Sequence, residues 1–174
     1  DEIFVGTESD HLYRIESNGN IYNNSPILTA GDKIKFAPII ISLNNEFHIV
    51  VGSTDGILYI TNPEGEIEFN YETGDEIHGA AIVPINNSFG IVFGSEDGFL
   101  YFIDNNGNNI SGWPQYTGNS YESAPVIADL DLDGSPEIIV STSTHLQFFS
   151  INSDIYISQL NLGQTVKGNP AIAD

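Results

Sequence analysis

Short apolar runs separated by polar turns recur along the whole chain, and no window carries apolar residues at helical spacing. Runs such as HIVVG from His48 and GIVFG from Gly90 are rich in β-branched and aromatic side chains and bounded by Gly, Asn and Asp. That pattern predicts short strands. Four segments each join two such runs through a short polar turn: EIFVGTESDHLYRI, HIVVGSTDGILYI, GIVFGSEDGFLYFI and EIIVSTSTHLQFF. They predict four antiparallel hairpins, with Asp55-Gly56 and Asp97-Gly98 as turn dipeptides. An aromatic follows each turn, at Tyr13, Tyr59, Tyr101 and Phe148. A further turn comes next, at Ser17-Asn18-Gly19, Pro63-Glu64-Gly65 and Asn106-Gly107, with Asn152-Ser153-Asp154 in its place in the fourth copy.

A second set of segments interleaves with the hairpins: GDKIKFAPIII from Gly31, GDEIHGAAIV from Gly74, GNSYESAPVIAD from Gly118 and GQTVKGNPAIAD from Gly163. Their glycines stand 43, 44 and 45 residues apart, a regularity that marks an internal repeat. Each unit of about 44 residues then holds four strands: one led by a small pair (Ala37-Pro38, Ala80-Ala81, Ala124-Pro125, Asn169-Pro170), two in the hairpin and one after it. A four-stranded sheet of this size cannot bury both faces alone, so the units pack on one another, and radial packing of such sheets is a β-propeller. The reading is a single all-β domain over 1–174, with blade 1 from 169–174 plus 1–30, blade 2 from 31–73, blade 3 from 74–117 and blade 4 from 118–168. The last segment can complete the first sheet and close a four-bladed ring; half of a larger propeller, or a homodimer completing one, is the alternative.

Charge narrows the partners. There are 24 Asp and Glu against four Lys and Arg, a formal net charge of -20, which repels nucleic-acid backbones and anionic headgroups and favours cations. Cysteine is absent, which removes disulfides, thiolate metal sites and cysteine nucleophiles. No apolar stretch is long enough to span a bilayer as a helix, and no signal-peptide pattern is present. A start at Asp1 with no Met anywhere reads as a piece of a longer precursor.

One segment carries metal chemistry. ADLDLDGSPEIIV from Ala128 spaces Asp129, Asp131 and Asp133 at alternate positions, then Gly134 for a sharp turn, Ser135 for a backbone carbonyl and Glu137 as a further acid. Hard oxygens at that spacing suit Ca²⁺. The motif leads into a strand, so it is not an EF-hand.

The segment GWPQYTGNSYESAPVIADLDLDGSPEIIV resembles the FG-GAP/VCBS repeat of integrin α-subunit propellers and bacterial surface proteins, whereas VVGSTDGILYITNPEG and VFGSEDGFLYFIDNNG resemble the blade of PQQ-like, quinoprotein-type propellers. The first resemblance implies a structural Ca²⁺ held by Asp129, Asp131, Asp133 and Glu137. The corresponding loops SLNNEFHIVV and PINNSFGIVF have asparagines in place of aspartates and are too short for the ion, while Asp174 stands where another such loop would begin.

Other chemistry is sparse. His11, His48, His78 and His145 lack zinc-type spacing, and three of them (His11, His78, His145) fall in or beside connections on the face where propellers bind ligands. They are expected to be surface loop histidines. Many carboxylates share that face, but neither a Gly-x-Ser-x-Gly elbow nor a phosphate-cradling loop is present, and the quinone reading lacks a Trp-rich interior, since Trp113 is the sole tryptophan. Trp113 is expected to anchor packing between blades. The expectation is a non-catalytic, calcium-stabilised propeller acting as a binding or adhesion scaffold of a secreted or cell-surface bacterial protein, extracellular or periplasmic, with a protein or carbohydrate ligand on the loop face. The alternatives are a propeller module of a polysaccharide-active enzyme and a cofactor-less quinoprotein-like assembly scaffold.

Overall fold

The computed structural model describes residues 2–43, 46–85, 88–121, 123–151, 156–166 and 168–173. Every regular element among them is a strand, apart from turns and bends. No helix among the described residues is long and apolar enough to cross a membrane. The strands form four antiparallel sheets in sequence order, one of three strands and three of four. The first holds β1 (Ile3–Gly6), β2 (His11–Ile15) and β3 (Leu28–Thr29), and the second β4 (Ile39–Leu43), β5 (Glu46–Gly52), β6 (Ile57–Thr61) and β7 (Ile67–Glu72). The third holds β8 (Ile77–Ile85), β9 (Ser88–Ser95), β10 (Phe99–Asp104) and β11 (Gln115–Tyr116), and the fourth β12 (Val126–Ala128), β13 (Glu137–Ser141), β14 (His145–Ser150) and β15 (Tyr156–Asn161). Each sheet therefore lies inside one of the sequence repeats, and each predicted hairpin forms, as β1-β2, β5-β6, β9-β10 and β13-β14.

The turn chemistry works as the dipeptides predict. Gly56 and Gly98 take positive φ (82° and 89°), and Asp10 takes the same left-handed conformation (68°) in the first hairpin. Asp55 closes its turn by accepting from the Ile57 N–H with Oδ1 (2.9 Å) and from the Tyr59 hydroxyl with Oδ2 (2.6 Å). Asp97 repeats both contacts with Phe99 and Tyr101, at 2.9 and 2.7 Å. The Asn152-Ser153-Asp154 turn lies outside the described residues, as do Asn44-Asn45 and Asn86-Asn87 of the two shorter loops.

Two compact units divide the chain, Asp1–Gly79 and Ala80–Asp174. The core of the first gathers Leu12, Leu28, Ile34, Ile49, Val51 and Tyr59. The second gathers Val83, Val92, Leu100, Phe102, Trp113, Tyr121, Ile138, Val140 and Phe149. Trp113 is 7% exposed and packs edge-on against Phe102 (5.6 Å) of β10 and, tilted, against Phe149 (5.8 Å) of β14, joining two sheets. In the first unit, Arg14 of β2 joins two sheets by donating to Glu2 (2.7 Å) and to the Pro63 carbonyl (3.1 Å) while its guanidinium covers the Tyr22 ring (4.3 Å).

The repeated Gly-x-x-apolar pattern has a packing reason. Ile34, Ile77 and Tyr121 are all buried, and each sits over a glycine that ends or nearly ends the first strand of the preceding repeat's hairpin. A Cβ at Gly6 would overlap Ile34; at Gly52 it would fall 2.7 Å from Ile77 Cγ2, and at Gly94 2.7 Å from Tyr121 Cγ. Backbone bonds pin the same joints: the Ile34 N–H donates to the Thr7 carbonyl (2.9 Å), Ile77 to Ser53 (3.1 Å) and Tyr121 to Ser95 (3.4 Å). In the fourth copy Val166 donates to the Ser143 carbonyl (2.9 Å), and Ser141 stands at the glycine position with its hydroxyl against Ser123 Oγ (2.5 Å).

Three sequence expectations need correction. Phe148 is not the fourth member of the aromatic position: Tyr13, Tyr59 and Tyr101 face Val5, Val51 and Phe93, whereas the residue facing Val140 is Gln147. The fourth hairpin is one residue shorter, pairing Ser141 with Leu146 where Gly94 pairs with Leu100, and a one-residue change sends each side chain to the other face. His78 is buried (6% exposed) in β8 with its ring edge-on to Phe36 at 5.0 Å, because β8 reaches further back than the pattern suggests. Residues 169–173 form no strand, Asp174 lies outside the described residues, and β1 ends the first sheet. That tail is held in the second unit instead, where Asn169 Oδ1 accepts from the Ala124 N–H (2.9 Å) and the Gly168 carbonyl from the Ser141 hydroxyl (3.3 Å).

Candidate metal centre

Residues 129–136 connect β12 to β13, whose strands pair Ala128 with Glu137 at the loop's base. The acids organise the loop through its own backbone. Asp129 accepts from the N–H groups of Asp133 (3.1 Å, Oδ1) and Gly134 (2.9 Å, Oδ2), Asp131 from Asp133 (3.1 Å), and Asp133 from Ser135 (2.7 Å). Gly134 has φ of 90°, and Leu132, 86% exposed, has φ of 61°. A left-handed leucine costs about 1 kcal/mol, held here by the surrounding side-chain to backbone bonds.

Three of the five predicted residues converge. Asp129, Asp131 and Glu137 each offer a carboxylate oxygen, all within 4.8 Å of one another. Two oxygens bound to one Ca²⁺ at its usual distances stand no more than about 5 Å apart, so the spacing fits a shared ion. Glu137 is the most telling member. It is only 8% exposed, at the start of β13, and its side chain's one described hydrogen bond is from the Leu130 N–H to Oε2 (2.9 Å). A pair of carboxylate charges at that separation repels by about 3 kcal/mol at an effective dielectric of about 20, a cost that a divalent cation reverses. Asp133 lies outside the converging group, tied to Ser135, and Ser135 sits at the exit of the loop. Beside the loop, Leu130, Asp131, Glu137, Phe148 and Ser158 line a cleft of about 290 Å³.

The donor set is all oxygen, which selects a hard cation over zinc or copper. No histidine belongs to it. His48 Nδ1 lies 2.6 Å from Glu68 Oε2, His11 pairs with its neighbour Asp10, and His145 Nδ1 lies 2.8 Å from Thr144 Oγ1. Glu122 lies outside the described residues.

No protein-family model matches the chain, and no curated protein matches it. The likeness of the loop to FG-GAP/VCBS repeats therefore rests on Asp129, Asp131, Asp133 and Glu137 themselves.

Sequence reasoning missed two features of the second unit. The φ of Leu132 has no sequence signal, since leucine is not a turn residue. The second is a polar cleft of about 460 Å³ whose lining includes Gln115, Tyr116, Asn119, His145, Gln147 and Gln159. The alternation His145-x-Gln147 along a strand was its only trace in the sequence.

Proposed function

We propose that the chain is a non-catalytic, calcium-stabilised β-propeller segment serving as a binding or adhesion scaffold of a secreted or cell-surface protein. The convergence of the Asp129, Asp131 and Glu137 carboxylates in the loop between the first two strands of a repeated sheet carries this reading. Four sequential antiparallel sheets, each matching one repeat, support the propeller architecture. Asp129, Asp131 and Glu137 would hold the ion through side-chain oxygens, with Asp133 and the Ser135 carbonyl as further donors. The ion's contribution is to cancel three converging negative charges and so tie β12 to β13. A site closed by protein oxygens is built for structure, whereas a catalytic metal keeps a position for substrate. Millimolar calcium outside cells would fill such a loop, and the net charge of -20 suits a saline exterior.

Calcium removal tests the reading. An ion that binds only the folded state at about 100 times its Kd adds about 2.7 kcal/mol, which for a chain of this size raises the melting temperature by about 5 to 10 °C. EGTA is expected to remove that increment in the wild type and to have little effect on Glu137→Gln. An unchanged wild-type melting temperature in EGTA would refute the calcium role.

A further inference from the structure

We propose that the cleft between β11 and the β14-β15 ribbon is a binding site for neutral saccharides, an inference that rests on reading the chain as a binding scaffold. The site arises from the register difference of the fourth hairpin. Where the other three sheets carry a tyrosine, the fourth carries Gln147, so an amide replaces an aromatic ring and space opens beside it. The cleft of about 460 Å³ lies in the size range of small-molecule sites.

Its chemistry is polar without charge. Gln147 is only 2% exposed, and a buried amide is costly unless its groups are matched. Its Oε1 accepts from the Tyr121 hydroxyl (2.9 Å), which is itself in contact with Thr117 Oγ1 (2.6 Å). With the oxygen so engaged, the amide nitrogen is the group left to donate, and it makes no described hydrogen bond. Gln159 of β15 is the cross-strand partner of Gln147 and adds a second amide on the same face. Gln115 and Asn119 donate through their amide nitrogens to the Gly112 carbonyl and the Thr117 carbonyl (2.9 Å), which leaves their amide oxygens as acceptors. Amide donors and acceptors thus share the lining of a space that no described Asp, Glu, Lys or Arg lines. Sugar hydroxyls donate and accept at once, so they match such an array, while an anion would find no lysine or arginine among the described lining residues.

Tyr116 supplies the apolar half of a sugar site. Its ring rests against Phe99 at 4.8 Å and is still 68% exposed, a platform for the C–H face of a pyranose. The cleft sits at the hairpin end of the fourth sheet, where His145 pairs with Asn161, and the acidic loop sits at the other end, where Glu137 pairs with Ser150. The ligand and the ion therefore do not share residues. The strongly negative chain further disfavours uronate-rich polymers.

The test is calorimetric titration and saturation-transfer NMR of the full chain, in millimolar calcium, with hexasaccharides of glucose, mannose and xylose and with an oligogalacturonate. At least one neutral hexasaccharide is expected to bind, with affinity about tenfold weaker in Tyr116→Ala and about fivefold weaker in Gln159→Ala. Both residues are exposed, so the melting temperature of each variant should match the wild type. Silence from all three neutral sugars, equal binding of the oligogalacturonate, or full affinity in Tyr116→Ala would each overturn the proposal. The EGTA melting experiment keeps the two readings apart. Calcium-dependent melting without sugar binding sinks the saccharide site alone, and sugar binding without calcium-dependent melting sinks the calcium role and leaves the cleft standing.

Discussion

Replacing Gly94 by alanine tests the joint that the repeats share. The added methyl would lie 2.7 Å from Tyr121 Cγ and closer still to Tyr121 Cβ. Tyr121 is fully buried, its N–H is bonded to the Ser95 carbonyl, and its hydroxyl is engaged by Gln147, so it cannot swing aside without losing those contacts. Because the obstruction is the root of a side chain and not a flexible tip, the cost belongs at the upper end for overpacking, about 3 kcal/mol. The assay is equilibrium urea denaturation at fixed calcium, followed by emission of Trp113, which lies in the same core as Tyr121. With a slope of about 2 kcal/mol per molar urea, the midpoint should fall by about 1.5 M. Tyr121→Gly removes the Cβ and Cγ that the Gly94→Ala methyl would strike. Alone it destabilises by loss of the ring and its hydroxyl bonds. Combined with Gly94→Ala it should cost at least about 1 kcal/mol less than the separate losses added, because the methyl then has room. A Gly94→Ala protein within about 0.5 kcal/mol of wild type, or a strictly additive double variant, would refute the joint.

Two further outcomes follow from the first unit. Burial, then the hydrogen bond to Asp55, pushes the Tyr59 hydroxyl up to about 12 from an ordinary 10.0. The unfolded chain therefore gives up that proton first as pH rises, and the stability it contributes is whole below about pH 10 and lost by about pH 12. Tyr59→Phe should flatten that alkaline loss, measured as urea midpoints across the window; parallel wild-type and variant slopes would rule it out. Arg14→Met removes the bonds to Glu2 and the Pro63 carbonyl and the contact with Tyr22, and should cost about 2 kcal/mol, less in high salt, as read by thermal melting in circular dichroism. A loss below about 0.5 kcal/mol would mean the arginine does not couple the two sheets.

What the amino-acid sequence determined by itself is whatever is encoded over a few neighbouring residues. Hairpins were legible because strands alternate with period two and because Asp-Gly and Asn-Gly select one backbone geometry. The repeat was legible because four copies restate those signals, and the acidic loop because Asp129, Asp131 and Glu137 lie within nine residues, close enough for the turn at Gly134 to bring them together. Tertiary structure decided the features that join distant residues. Gly94 and Tyr121, Gln147 and Gln115, and Ser141 and Gly168 meet through packing between elements, for which no local pattern exists. Inside the loop itself, spacing offers four acids, and the fold decides that Asp129, Asp131 and Glu137 are the ones whose carboxylates gather, while Asp133 accepts from the Ser135 N–H. Even the aromatic ladder misled at Phe148, since one residue fewer in a turn sends Gln147 to the tyrosine face, and only the strand register reveals it. Local chemistry writes the strands and the turns, and which side chains then face each other is settled by close packing between sheets.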